Sequence, residues 1–281
     1  MTDGNRVFVD GLMFPEGLRW HDGHLWFSDF LQRKVFSADL SGILTERAFI
    51  GAQPSGLGFA PDGAALVVGM YDRNILRLGG AHPVIVANVG AFTHGPCNDM
   101  FVDAKGRCYI SNFGYEAMYL GMDPAITTCL GFIDTDGTTR GEGYGLSMPN
   151  GVAGTADGKT LIVSETTKRR LTAFDVADDG SLSSPRLFAD LGERAPDGIC
   201  IDAEGAVWVA TFDTGEVIRV REGGEVLQVV KVSGAWATAC ALGGEKGRTL
   251  YCAAADTDIP SMHSGKARGW IEAVEVEVPV G

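Results

Sequence analysis

Four oxygen-bearing side chains occupy matching places in this 281-residue sequence, and their chemistry is that of metal ligands. They are Glu16, Asn98, Asn150 and Asp197. Two carboxylates and two amide oxygens are hard ligands, which suit Ca²⁺ and, less well, Mg²⁺ or Mn²⁺. The set contains no histidine or cysteine, which argues against an imidazole or thiolate zinc site. The residue types therefore predict one divalent cation, with Ca²⁺ preferred, bound by these four side chains.

The local sequence around these residues recurs six times along the chain. The clearest copies have the form Pro-x-Gly, and the middle residue x stands at positions 16, 55, 98, 150, 197 and 237, so the steps are 39, 43, 52, 47 and 40 residues. The two copies outside the ligand set have Ser55 and Ala237 in the middle. A period in the forties built from strand-like units is typical of a β-propeller. We therefore predict an all-β, six-bladed β-propeller that uses residues 1–281 as a single domain.

Each copy reads as a blade of short strands joined by tight turns. Within residues 149–176, segments at 150–153, 161–163 and 171–174 predict three strands, and Asp157-Gly158 supplies the first turn. No segment of the chain shows a convincing helical period. Closing the ring usually requires one blade with strands from both chain ends, and residues 7–9 and 271–278 are strand-like. We predict that the N- and C-terminal strands share the last blade.

The repeat also predicts where the middle residues lie. The first strand of each blade leaves one face of the propeller and the second strand returns to it, so its last residues lie beside the middle residue. The second strands are expected to end at residues 28–30, 71–72, 112–114, 165–166, 211–213 and 256–257. Polar and aromatic side chains thus converge at one end of the axial channel, where we expect a binding site.

Four segments also resemble the signatures of a known family. They are Phe14-Pro15-Glu16-Gly17, Cys97-Asn98-Asp99-Met100, Pro149-Asn150-Gly151-Val152 and Pro196-Asp197-Gly198-Ile199. The chain is similar, over about residues 7–278, to the family that comprises senescence marker protein, gluconolactonase and luciferin-regenerating enzyme.

This resemblance implies a six-bladed propeller with a single catalytic divalent cation, often Ca²⁺ or Zn²⁺. It implies Glu16, Asn150 and Asp197 as metal ligands, and Asn98 as a residue that lines the metal or the substrate. Diisopropylfluorophosphatase and paraoxonase resemble the chain more distantly and imply the same central arrangement.

One departure from the family's motifs bears on the substrate. Sugar lactonases of this family commonly carry an arginine two places before the asparagine that matches Asn98, whereas this chain has Pro96. Without that guanidinium the site lacks a bidentate hydrogen-bond donor for sugar hydroxyls or a carboxylate. Gluconolactone itself is therefore not the expected substrate. Nearby aromatic residues predict a more apolar pocket, namely Phe30, Phe92, Phe113, Tyr115, Phe212 and Trp236.

These features predict a hydrolase that opens a lactone or a related ester. A bound cation would polarise the carbonyl and stabilise the tetrahedral oxyanion, and an activated water would attack. The resemblance favours Asp197 as the base, although a carboxylate bound to a dication has a lowered pKa and is a poor base. His94 and Glu165, both expected at the channel mouth, are the alternative bases.

Two other classes of function stay open. In the first, the same metal site acts on another bond, as in a phosphotriesterase or a non-hydrolytic enzyme. In the second, the propeller is a non-enzymatic binding protein, although such a scaffold does not need acids on its axis. The enzymatic alternatives share a small-molecule substrate.

Composition argues against several partners. The net charge of −13 repels phosphate backbones, and no basic cluster stands out beyond residues 168–170, so we expect no nucleic-acid partner. No apolar run is long enough to span a bilayer and the first residues do not resemble a signal peptide, so we expect no membrane association. The six cysteines form no CxxC pair and fit buried free thiols in a reducing cytoplasm. The sequence leaves the oligomeric state open.

Overall fold

Six antiparallel sheets of four strands each make up the fold. The structure is a computed structural model that describes residues 4–281, and its strands are numbered β1 to β24 in chain order. The first three blades are β2 (Pro15–His21), β3 (His24–Asp29), β4 (Lys34–Ala38) and β5 (Leu44–Phe49); β6 (Pro54–Phe59), β7 (Ala65–Gly69), β8 (Asn74–Arg77) and β9 (Val84–Asn88); and β10 (Cys97–Val102), β11 (Cys108–Asn112), β12 (Thr128–Ile133) and β13 (Thr139–Leu146). The fourth and fifth blades are β14 (Pro149–Gly154), β15 (Thr160–Glu165), β16 (Arg170–Val176) and β17 (Leu182–Asp190); and β18 (Pro196–Ile201), β19 (Val207–Thr211), β20 (Glu216–Val220) and β21 (Val226–Lys231).

The sixth blade joins the two ends of the chain, as the sequence predicted. It contains β22 (Trp236–Gly243), β23 (Thr249–Asp256) and β24 (Arg268–Glu275), with β1 (Arg6–Leu12) paired antiparallel to β24 as its outermost strand. Phe8 of β1 packs against Tyr251 with ring centroids 4.9 Å apart, and Val9 and Leu12 are buried in the same cluster. This apolar contact holds the ring closed, and the predicted six-bladed propeller is confirmed.

The hydrophobic core lies between the blades. The first strand of every blade contacts the first strands on both sides of it, so these six strands form a ring around the axis. Each gap between neighbouring blades is filled by its own apolar cluster with buried residues from both blades, including Phe27, Leu57, Ile110, Phe132, Ile218 and Trp208. Burial on both faces explains why the middle of each second strand is mainly apolar.

A β-bulge follows the middle residue x in the first strand of every blade. The pairing of the first two strands shifts register between residues 16 and 19, 54 and 57, 97 and 100, 149 and 152, 196 and 199, and 237 and 239. A bulge bends the strand and redirects one side chain. In each blade it can therefore turn the side chain of residue x toward the axis while the sheet stays intact.

The glycine that follows x makes room for the neighbouring blade. A Cβ atom on Gly151 would lie 2.6 Å from the carbonyl oxygen of Asp197, and one on Gly17 would lie 2.7 Å from that of Ser55. The Pro-x-Gly motif therefore reflects close packing around the axis as well as the preference of these residues for turns.

Two one-turn helices interrupt loops on the face where x lies. They are α1 (Ala117–Leu120), between β11 and β12, and α2 (Ile259–His263), between β23 and β24. The sequence predicted neither helix, because four or five residues are too few to show a helical period. Within residues 4–281, no helix has the length and apolar character needed to cross a membrane.

Candidate functional site

The ring of first strands brings the predicted ligands to one cavity. Each middle residue is the second residue of its strand, and Glu16, Asn98, Asn150 and Asp197 all line a cavity of about 270 Å³ at the end of the channel. Ser55 lines it as well, whereas Ala237 is fully buried and contributes no polar atom. Four blades therefore supply carboxylate or amide oxygens to a shared space, and a fifth supplies a hydroxyl.

Hydrogen bonds around the ring leave one carboxylate oxygen without a partner. Ser55 Oγ donates to Asn98 Oδ1 at 2.8 Å, and the Asn150 side chain is hydrogen-bonded to Asp197. Asp197 Oδ1 is buried and accepts no hydrogen bond from the protein. An unpaired buried carboxylate oxygen is costly, so its presence among other hard oxygen atoms fits a site for a cation. Within the described residues, no group of three or more His, Cys, Asp and Glu side chains forms a metal site, because half of the candidate ligands are asparagines.

Hydroxyl groups hold the backbone of the ring in place. Ser28 Oγ donates to the carbonyl oxygen of Ser55 at 2.7 Å, and Ser164 Oγ donates to that of Asp197 at 2.8 Å. Thr238 Oγ1 donates to the carbonyl oxygen of Pro15 at 2.7 Å. In each case donor and acceptor belong to neighbouring blades, so each bond fixes the backbone of a blade against its neighbour.

The two carboxylates of the ring are destabilised as anions. Burial raises the pKa of Glu16 well above its ordinary value, and the negative charges of Asp197 and Asp99 raise it further. Burial likewise raises the pKa of Asp197, with Asp99 adding to the effect and the Asn150 hydrogen bond opposing it. A divalent cation would relieve both the desolvation and the mutual repulsion of these groups.

We expect cation binding at this ring to release protons. Because the pKa values of Glu16 and Asp197 lie above the ordinary 4.5 and 3.8, the cation-free protein retains protons that the unfolded chain has lost. The stability that these two carboxyl groups contribute is fully present below their ordinary pKa values. It is lost as the pH rises through their raised pKa values. A cation needs the ionised carboxylates, so its apparent affinity should fall as the pH decreases.

Calorimetric titration with Ca²⁺ at about pH 6 in two buffers of different ionisation enthalpy tests this expectation. The observed heats should differ between buffers, and the difference should shrink in the Glu16→Gln variant. Equal heats in both buffers would show that no proton is displaced.

The cavity has an aromatic wall above the ring. Phe30, Phe113, Phe212 and Trp236 line it, as the sequence predicted for these four residues, and Phe14 joins them. The ring centroids of Phe14 and Phe30 are 6.0 Å apart, those of Phe14 and Trp236 are 6.1 Å apart, and those of Phe212 and Trp236 are 5.6 Å apart, all in edge-to-face orientations. This interlocked geometry makes the wall rigid as well as apolar.

A group of methionines completes the apolar lining. Five of the eight methionines of the chain contribute to it, namely Met70, Met118, Met122, Met148 and Met262. Sequence analysis missed them because they are scattered over nearly two hundred residues and become neighbours only in the closed ring. A signal did exist: the residues two places before x in three copies are Phe14, Gln53 and Met148, and all three line the cavity.

Glu165 lies outside the cavity, contrary to the position expected for it. Its side chain is fully buried and accepts hydrogen bonds from Ser147 N at 2.8 Å, Arg170 Nε at 2.6 Å and Thr172 Oγ1 at 2.6 Å. The next residue, Thr166, lines the cavity instead. Side chains alternate along a strand, so an error of one position exchanges a structural residue for a lining one.

His94, Tyr115 and Phe92 also lie outside the cavity lining. His94 is exposed to solvent and Phe92 is half-buried in the same loop. Tyr115 is directed into its own loop, where its hydroxyl donates to the carbonyl oxygen of Gly121 at 2.8 Å. All three residues lie in loops next to strand ends. There the conformation of the loop, and not the repeat, determines where the side chain points.

The mouth of the cavity carries few charges. Among the lining residues within 4–281, the basic side chains are the exposed Arg33 and His263, whose ring stacks on Tyr119 at 4.3 Å. Pro96 is buried and its carbonyl oxygen accepts a hydrogen bond from Phe113 N at 2.9 Å, so this position offers no guanidinium to a ligand. The polar ring and the apolar walls are therefore the main features that a ligand meets.

The fold is a six-bladed propeller, and carboxylate and amide oxygens from four blades line a cavity at one end of its axis. The family model described as SMP-30/Gluconolactonase/LRE-like region matches residues 14–256. The chain belongs to this family, as its four motif segments indicated.

Individual relatives agree with the family assignment. A 6-deoxy-6-sulfogluconolactonase of Pseudomonas putida is 30% identical over 137 residues, which are 47% of this chain and 47% of that protein. Lactonase drp35 of Staphylococcus aureus (strain MW2) is 27% identical over 240 residues, 78% of this chain and 70% of that protein. The fold is also similar to the crystal structure of a calcium-binding protein, regucalcin, from Agrobacterium tumefaciens, with a TM-score of 0.81 and 22% sequence identity. The superposition covers 99% of this chain and 95% of that one. The match to the sulfogluconolactonase spans about half of that protein's length.

Proposed function

We propose that this protein opens lactones, or related esters, with the help of one divalent cation, and that its substrate carries an apolar rather than a hydroxylated substituent. The observation that carries the proposal is the single cavity in which a ring of hard oxygen atoms adjoins methionine and aromatic walls. The names of two relatives, a sulfogluconolactonase and a lactonase, support lactone opening.

The four ring residues would hold the cation. Glu16, Asn98, Asn150 and Asp197 are suited to Ca²⁺ first, with Mg²⁺, Mn²⁺ or Zn²⁺ as alternatives. The calcium-binding description of the Agrobacterium neighbour supports the same choice. A cation bound there supplies a Lewis acid for a lactone carbonyl.

Asp197 is the proposed base that takes the proton of the attacking water. Its buried, unpaired Oδ1 atom would bind the cation, and the second oxygen of the carboxylate would take the proton from the water. Burial and the charge of Asp99 raise the pKa of Asp197 in the cation-free protein, and a bound cation would lower it, so Asp197 would act as a base through the oxygen that does not bind the cation. His94 and Glu165 are not retained as bases, because neither lines the cavity and Glu165 already accepts three hydrogen bonds.

The walls favour an apolar substituent next to the lactone ring. Sugar hydroxyls placed against Met148, Phe212 or Trp236 would lose water without gaining partners, which is costly. Methylene groups in the same place would be removed from water, and flexible methionines can adapt to different chain lengths. Asn98 remains the proposed polar contact to the lactone end of the substrate.

A lactone panel tests the proposal. With Ca²⁺ present, kcat/KM should rise about threefold to fourfold for each methylene added to an alkyl δ-lactone, until the cavity is full. D-glucono-δ-lactone should be turned over about 100-fold less efficiently than the best alkyl or aryl lactone. Turnover of a phosphotriester without turnover of any lactone would assign the site to a different bond, and a preference for the sugar lactone would overturn the substrate class.

A matched pair of variants locates the selectivity in the wall. Met148→Gln keeps the length of the side chain but adds an amide, so it should reduce the preference for alkyl lactones about tenfold. Met13→Gln, at a half-buried position outside the cavity lining, is the control and should leave the preference unchanged.

We also propose a cytoplasmic location. All six cysteines are free, and burial raises the pKa of Cys240 and Cys252 well above the ordinary value for a thiol. Unpaired thiols of this kind are usual in a reducing compartment.

A further inference from the structure

An ion pair joins the first and third blades beside the ligand ring, and the proposed reaction does not use it. Arg19 belongs to β2 in the first blade, and Asp99 belongs to β10 in the third. Arg19 Nη2 donates to Asp99 Oδ1 and to the carbonyl oxygen of Met100, both at 2.7 Å. The second blade passes between them at Gly56, where a Cβ atom would lie 2.6 Å from Asp99 Oδ1. A Cβ atom there would also lie 2.5 Å from Asp99 Cα and 2.5 Å from Met100 N, so the close approach of the two strands itself requires a glycine.

The pair is held firmly and is largely shielded from water. The side chains of Arg19 and Asp99 are 22% and 7% exposed. Asp99 also accepts hydrogen bonds from its neighbour Met100 N at 2.9 Å and from Val152 N of the fourth blade at 3.4 Å. Burying such a pair is costly and does not by itself stabilise a fold, which makes a role at the adjacent ring the better explanation for its presence.

Charge balance connects the pair to the ring. The negative charge of Asp99 acts on both Glu16 and Asp197, and the positive charge of Arg19 acts on Glu16. With its three carboxylates ionised, as cation binding requires, and its guanidinium protonated, the channel end carries a net charge of −2, which one divalent cation neutralises.

Arg19 also fills the space between two oxygen atoms that would otherwise be available to a cation. Its Nη2 atom lies between a carboxylate oxygen and a carbonyl oxygen at 2.7 Å from each, and both are ligand types that hard cations prefer.

We propose that Arg19 serves as a built-in cation, which balances Asp99 and restricts the channel end to a single divalent metal ion. Arg19 is a positioning residue, since it does not line the cavity and would not touch the substrate. The inference rests on the proposed cation site, but it does not depend on the reaction catalysed there.

Metal stoichiometry provides the first test. Full-length, chelator-treated protein is equilibrated with Ca²⁺, and bound metal is measured by mass spectrometry and calorimetric titration. The wild type and Arg19→Lys, which keeps the charge, should each bind one ion per chain. Arg19→Gln leaves a net charge of −3 and exposes Asp99, so it should bind a second ion. One ion per Arg19→Gln chain, with unchanged affinity, would overturn the inference.

A charge-balanced pair of variants provides the second test and does not require Arg19→Gln to fold by itself. Asp99→Asn leaves a net charge of −1 and should weaken Ca²⁺ binding about tenfold or more. Adding Arg19→Gln to it restores −2 and should bring the affinity back to within about threefold of the wild type. A merely structural pair would not recover, so a double variant that binds as weakly as Asp99→Asn would overturn the inference.

The same experiments separate the two proposals. A wild-type protein that binds no divalent cation would overturn the proposed cation site and this inference with it. One ion in the wild type with no lactone turnover would remove the proposed function, while the role of Arg19 would still be decided by the variants.

Discussion

Replacement of Asp197 by Asn should reduce lactone turnover by about 10²- to 10⁴-fold, while Ca²⁺ binding weakens only partly. Asn keeps the shape and one oxygen ligand of the side chain but cannot accept a proton from water. Glu16, Asn98 and Asn150 would continue to hold the cation. Steady-state kinetics on the best lactone of the panel, together with calorimetric Ca²⁺ titration, measures the two effects separately.

Variants of the other two base candidates serve as controls for Asp197. His94→Gln should retain turnover within about twofold, because the side chain is exposed and outside the cavity lining. Glu165→Gln should lower the melting temperature, since its buried carboxylate accepts three hydrogen bonds, yet the folded protein should still turn over substrate. Full activity of Asp197→Asn, or loss of chemistry in His94→Gln, would remove Asp197 from the proposed role.

Removal of the cation should have a comparably large effect. Chelator treatment should lower kcat/KM about 10³-fold, because a bound cation contributes several kcal/mol to carbonyl activation. Glu16→Gln should cause a similar loss at sub-saturating Ca²⁺, since it removes one of two carboxylate ligands. Activity is followed after Ca²⁺, Mg²⁺, Mn²⁺ or Zn²⁺ is returned singly, and the order of recovery identifies the metal.

Thermal stability gives a second measure of the same site. Calcium at about 100 times its dissociation constant should stabilise the folded chain by about 2.7 kcal/mol, visible as a higher melting temperature. The shift should vanish in Glu16→Gln at the same Ca²⁺ concentration. A chelated protein that keeps full activity and shows no calcium-dependent melting would exclude the proposed site.

Most of the fold and of the polar ring could be predicted from the sequence because of the repeat. Six copies with a period in the forties define the number of blades, and the middle residue of each copy stands at one fixed place in its first strand. Positions such as Glu16 and Asp197 were therefore predictable, because the repeat fixes both their blade and their height along the axis.

The substrate walls were less predictable, because they depend on loops that do not repeat. Met118 and Met122 lie in a long loop with its own short helix, and no other blade provides a template for it. Glu165 was misplaced for a different reason, since neighbouring residues at a strand end point to opposite sides. Sequence reasoning could identify the strand end but not the side that each residue faces.

The sixth blade, with its outermost strand taken from the start of the chain, also has a consequence for protein synthesis. All four ring residues leave the ribosome before β24, which begins at Arg268 and gives β1 its only partner strand in that sheet. Until β24 joins β1, the sixth blade is incomplete and the ring that holds the two carboxylates and two amides is not yet closed. Capture of the proposed cation would then be a property of the finished molecule, and a chain cut short before its last strands should not acquire it.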